Sequence, residues 1–90
     1  MQLEVYNTYA THGDNETMHF DVLMPQGSSA HQARLNAADW LRRIGVLDHQ
    51  FRLDSCQLCH VEEATPEYAR DIKQQGYAIL QMEGCPAPIF

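Results

Sequence analysis

Basic side chains are scarce in this sequence. Six lysines and arginines stand against twelve aspartates and glutamates, a formal net charge of -6 over 90 residues. An acidic domain repels phosphate backbones, and Arg42–Arg43 is too short for a basic patch, so no nucleic-acid partner is expected. Long apolar runs are missing as well: nothing approaches the roughly 20 residues that span a bilayer. The opening "MQLEVYNTYA" lacks the basic and apolar regions of a signal peptide. The expectation is a cytoplasmic protein without a membrane partner. Cysteine is limited to Cys56, Cys59 and Cys85. An odd count leaves one thiol over, and thiols in that compartment stay reduced, which excludes a disulfide framework. Internal repeats, low-complexity tracts and linkers are absent too.

What is present is ordinary for a globular domain: 44% hydrophobic and 20% charged residues. A chain of this length makes one domain, 1–90, that can bury roughly 60–65% of its unfolded surface. Leu3 and Val5 alternate with polar neighbours as a strand does. Met18, Phe20, Val22 and Met24 alternate more clearly, and "THGDNE" between the two runs reads as a hairpin loop. If Leu3 and Val5 share a face with Phe20, opposed residue numbers sum to about 27. That register sets Tyr6 against Asp21 and Thr8 against His19 on a second, polar face.

"PQGSS" breaks the second strand and offers Ser28 or Ser29 as a helix cap. Ala30, Ala33, Ala37, Trp40, Leu41 and Ile44 then recur at helical spacing, with Gly45 just past the end. "FRLDS" reads as a third strand. Thr65 caps a second helix, Pro66 opens it and Gly76 closes it. "YAILQME" is the last strand, and "GCPAPIF" follows as a tail. The order β-β-α-β-α-β gives an α+β two-layer sandwich. Its expected form is a mixed four-stranded sheet with strands two, three and four parallel and both helices on one face.

In that arrangement Cys56 and Cys59 leave the third strand at the edge where Cys85 leaves the fourth, so the three thiols converge. With His60 they make a Cys₃His set suited to zinc, although one C-x-x-C is only half of a zinc motif. C-x-x-C-H is also a haem-attachment pattern, set aside here for want of an export signal. A redox dithiol needs a cysteine at a helix N-terminus, which neither cysteine occupies. The plainest reading is three thiols buried as small hydrophobes. His19 and Asp21, with Tyr6, form a separate polar-face candidate for acid–base work or for a dimer surface.

"YNTYA", "MHFDVLM", "ADWLRRIG", "CQLCH" and "GYAILQMEGC" together resemble the DUF 2024 family, small bacterial proteins of unknown function. The resemblance runs from the first strand to Cys85. It implies a compact α+β protein of this element order and no activity, substrate or cofactor. Its most characteristic positions here are His19, Phe20, Asp21, Cys56, Cys59, His60, Glu83, Gly84 and Cys85. The functional expectation is a non-enzymatic binding module carrying Cys56, Cys59, His60 and Cys85, with zinc as the cofactor to test. Two alternatives stay open: a thiol redox or transfer enzyme, and a homodimer joined through the polar sheet face.

Overall fold

The computed structural model describes residues 1–13 and 15–83. Local signals place both helices where the sequence expects them. The Ser29 side chain accepts from the Gln32 amide at 3.1 Å and caps α1 (Ala30–Arg43). Gly45, with φ 96°, takes the left-handed position beyond its end, which a Cβ would disfavour. Thr65 accepts from the Tyr68 amide at 3.2 Å and caps α2 (Pro66–Gln75), which Gly76 closes at φ 93°.

Four strands complete the chain: β1 (Gln2–His12), β2 (Glu16–Pro25), β3 (Phe51–Glu63) and β4 (Ala78–Glu83). They form one open sheet in the order β3-β1-β2-β4, and every neighbouring pair is antiparallel. The α+β class and the element order are those expected; the mixed, partly parallel sheet is not. β2 and β3 do run the same way, but β1 separates them, and β4 runs against β2.

The length of α2 explains the reversal. Its ten residues make a rod of about 15 Å, close to the three strand spacings of roughly 4.8 Å that separate β3 from β4. The helix therefore carries the chain sideways at one end of the sheet instead of back along it. β4 starts where β3 finishes: Ala78 opposes Leu23, which opposes Val5. β3 is also longer than "FRLDS". Beyond those five residues the strand continues to Glu63, opposite Gln2, because β1 offers partners along its whole length.

Both helices on one face is the second expectation corrected. Side chains alternate across a strand. Met18, Phe20, Val22 and Met24 pack with Ala33, Ala37, Trp40 and Leu41 of α1, whereas Leu3, Val5, Leu23 and Ala78 pack with Ile72 of α2. A helix thus covers each face, and the molecule has three layers. The hairpin register follows suit. Opposed residues sum to 28, not 27: Tyr6 faces Val22, Asn7 faces Asp21, Thr8 faces Phe20 and Tyr9 faces His19. The one-face assumption produced the error. Leu3 and Val5 are buried with Leu23 beneath α2 and have no need to share a face with Phe20.

At the start of β4 a polar clasp joins the two helices around the sheet. Tyr77 Oη donates to Asp39 Oδ2 at 2.7 Å, and Arg43 binds both Asp39 at 3.0 Å and Gln75 Oε1 at 2.6 Å. Its guanidinium also lies 5.8 Å from the centre of the Tyr77 ring.

Two cores on opposite faces should respond independently to small cavities. Ile44→Val under α1 and Ile72→Val under α2 should each cost about 0.5–1.5 kcal/mol. The double variant should match their sum within about 0.5 kcal/mol in urea denaturation, since the sites share no packing partner.

Candidate functional site

α2 shields only part of its face of the sheet. The row His60–Val5–Leu23–Ala78 passes under it or beside it, and among the described residues no helix covers the next two rows. One holds Gln57, Asn7, Asp21 and Leu80; the other holds Ser55, Tyr9, His19 and Glu83. Corrected register therefore keeps His19 and Asp21 together on an open polar face and replaces their expected companions. Tyr6, 4% exposed, and Thr8, fully buried, lie in the core beneath α1. Asn7 and Tyr9 stand in their place. The signal that could have found them is "VLM" in β2. Consecutive apolar residues mark a strand covered on both faces, which frees β1 from the single-face register.

The new companions organise His19. Its ring stacks on Tyr9 with centroids 4.3 Å apart and planes within 8°. Its Nε2 is hydrogen-bonded to Asn7 Oδ1. Tyr9 and Leu80 are each 38% exposed, so the face mixes aromatic, aliphatic and hydrogen-bonding surface.

Asp21 lies at the centre, only 7% exposed. It accepts no hydrogen bond from the described residues, and burial raises its pKa above the ordinary carboxylate value. Positive charge on His19 or His60 opposes that rise, while Glu62 adds to it. No fully buried side-chain oxygen or nitrogen among the described residues lacks a partner. The Asp21 oxygens therefore reach the surface of the open face. Nearby, His60 Nε2 lies 3.4 Å from Glu62 Oε2. Tyr68 leans in from α2; burial, then Glu67, Glu62, Asp21 and Asp71, push its hydroxyl pKa up.

The cysteine candidates are dispersed. Cys56, 6% exposed, packs in the core beneath α1, where Thr8 Oγ1 reaches its sulfur at 3.4 Å. Burial pushes its thiol pKa up, against smaller effects of Thr8 and Arg34. Cys59 is exposed and sits in a bulge: Tyr6 opposes Leu58, Val5 opposes His60, and Cys59 is the extra residue between them. In an unbroken strand, positions 56, 58 and 60 would share a face. The bulge turns His60 to the face of Asp21, opposite Cys56. Cys85 lies outside the described residues. Among the described residues no group of three or more His, Cys, Asp or Glu is placed to hold a metal ion. A solvent-open concavity at the hairpin end, lined by Thr11, Gly13, Gln50, Phe51 and Arg52 among others, includes neither Asp21 nor His60.

Iodoacetamide labelling with peptide mapping should modify Cys59 in the folded protein and Cys56 only in urea. Equal rates at both would contradict the buried placement of Cys56. Asp21 has a consequence for stability. Its folded-state pKa is raised, so between the unfolded value and the folded one the native chain holds more protons than the unfolded chain. Stability contributed by this residue is thus greatest at low pH and declines as pH rises through that window. Asp21→Asn should remove this component, so that stability at neutral pH rises and its decline through that window is lost, measured by denaturation across pH.

No curated protein matches the chain. A solved structure does: the NMR structure of protein NE1680 from Nitrosomonas europaea, a structural-genomics target, is 37% identical and superimposes with a TM-score of 0.76. The match covers 96% of this chain and 100% of that one. The model of a domain of unknown function, DUF2024, matches residues 1–82. With nearly the whole sheet and both helices inside that match, the chain belongs to the DUF2024 family.

Proposed function

We propose that the chain is a small non-enzymatic binding module, that the open face of the sheet is its working surface, and that its partner is a protein. The observation that carries this reading is Asp21: a carboxylate only 7% exposed at the centre of a polar face, which accepts no hydrogen bond from the described residues. Its oxygens reach the open face, where donors of a partner can take the place of water beside a carboxylate that burial already disfavours as an ion. The surroundings support a macromolecule over a small ligand. Small molecules favour enclosed, mostly apolar pockets, whereas Tyr9, Asn7, Gln57 and Leu80 lie along neighbouring strands of an open sheet.

Thiol chemistry has less support. Cys56 is buried with a raised pKa, the opposite of an activated nucleophile. The zinc reading would need Cys56 and His60 from opposite faces of the sheet, with Cys85 outside the described residues. Binding through the open face requires none of these thiols.

A photoreactive benzoylphenylalanine at position 80, expressed in the native cell, tests the reading against a control at exposed Leu35 on α1. Position 80 should give a discrete product heavier than the chain and different in mass from two copies of it, and position 35 should not. No product at position 80 would overturn the proposal. A product with the mass of two copies would replace it with the homodimer.

A further inference from the structure

Resting on the reading that the open face binds a protein, we infer that Asp21 is the receptor for an arginine side chain of that partner. The charge around it selects for a cation. Asp21, Glu62, Glu67 and Asp71 all act on the Tyr68 hydroxyl, which places four carboxylates around one margin of α2. The chain as a whole carries -6. Among the described residues no lysine or arginine makes a hydrogen bond or ion pair with Asp21; Arg52 is held by Asp54 at 2.7 Å, and Arg43 by Asp39 at 3.0 Å. His60 pairs with Glu62, and His19 is held by Asn7 and Tyr9.

Arginine fits better than lysine. Its planar fork can donate two parallel hydrogen bonds to one carboxylate, and it stacks on aromatic faces. Both features are available here. Asp21 presents its oxygens to the open face, and Tyr9 with His19 supplies a flat aromatic pair one row away. Guanidinium is also more weakly hydrated than ammonium, so less is lost when it enters a site that is itself poorly hydrated. Exposed Tyr9 and Leu80 flank the carboxylate and suit apolar residues beside the arginine.

The test is a titration of the folded chain, followed by backbone amide NMR, with the blocked peptide Ala-Leu-Arg-Leu-Ala. The same peptide with citrulline for arginine removes the charge and keeps the shape; methylguanidinium keeps the charge and removes the peptide. Amide shifts should centre on Asn7, His19, Asp21 and Leu80. The arginine peptide should bind at least tenfold tighter than either comparison probe (about 1.4 kcal/mol), and Asp21→Asn should abolish that preference. Tyr9→Leu should weaken the arginine peptide while leaving the citrulline peptide unchanged. Equal binding of the citrulline peptide, or an undiminished preference in Asp21→Asn, would overturn the inference. Methylguanidinium binding as tightly as the peptide would assign the site to a small cation instead. If the inference fails while the position-80 product persists, the open face still binds a protein by other contacts. If that product is absent as well, the proposed function fails with it.

Discussion

The pairing of β1 with β2 governs the rest of the molecule, because each strand in the middle of the sheet has one neighbour fixed by it. Opposed residues summing to 28 put Tyr6, Thr8 and Ala10 on the α1 face with Met18, Phe20 and Val22. The same pairing puts Leu3 and Val5 beside Leu23, under α2. A slip of one residue would move every side chain of one strand to the other face. It would drive Tyr6 and Thr8 into the open and bury Asn7 and Tyr9. Two cores on two faces make that slip costly, since both would be broken together.

The same register creates the candidate site. Beyond the edge of α2, β1 and β2 still alternate, so one face continues the α1 core while the other emerges into the open. Asp21 stands where cover gives way to solvent. It is close enough to α2 to be desolvated and far enough out to present its oxygens. A nearly buried carboxylate that accepts no hydrogen bond from the described residues works against the local consistency that stabilises a fold, and such departures concentrate where binding or chemistry happens. Asp21 is the one buried residue among the described ones that carries a formal charge. The cysteine cluster shows no such tension: Cys56 is packed as a small hydrophobe, and Cys59 is an edge-strand bulge facing solvent.

The two outer strands also differ in how they end the sheet. β3 carries two bulges, at Asp54 and Cys59, and charged or polar residues along most of its length. Irregularity and charge of this kind discourage another chain from pairing with the edge. The bulge at Cys59 has a second effect, since it brings His60 onto the face of Asp21. A device that ends the sheet on one side thereby shapes the electrostatics of the open face.

Much of the fold was legible because its signals are local. Ser29 and Thr65 cap through contacts three residues away, Pro66 and glycines at 45 and 76 mark helix boundaries, and alternation in 18–24 marks a strand. His19 and Asp21 could be placed on a shared polar face because a period of two relates them directly. Strand direction, the side taken by α2 and the partners across the hairpin were not legible, because each depends on distant groups. Direction followed from a ten-residue helix matching the width of the sheet, and sidedness from Ile72 finding Leu3, Val5 and Leu23. The motif C-x-x-C-H was visible as letters, but one bulged residue sent Cys56 and His60 to opposite faces. Sequence by itself determined the helices, their caps and the order of the elements, since nearest neighbours along the chain supply that energy. Only the tertiary structure decided which side chains meet at Asp21, because burial on two faces at once is a property of the assembled sheet.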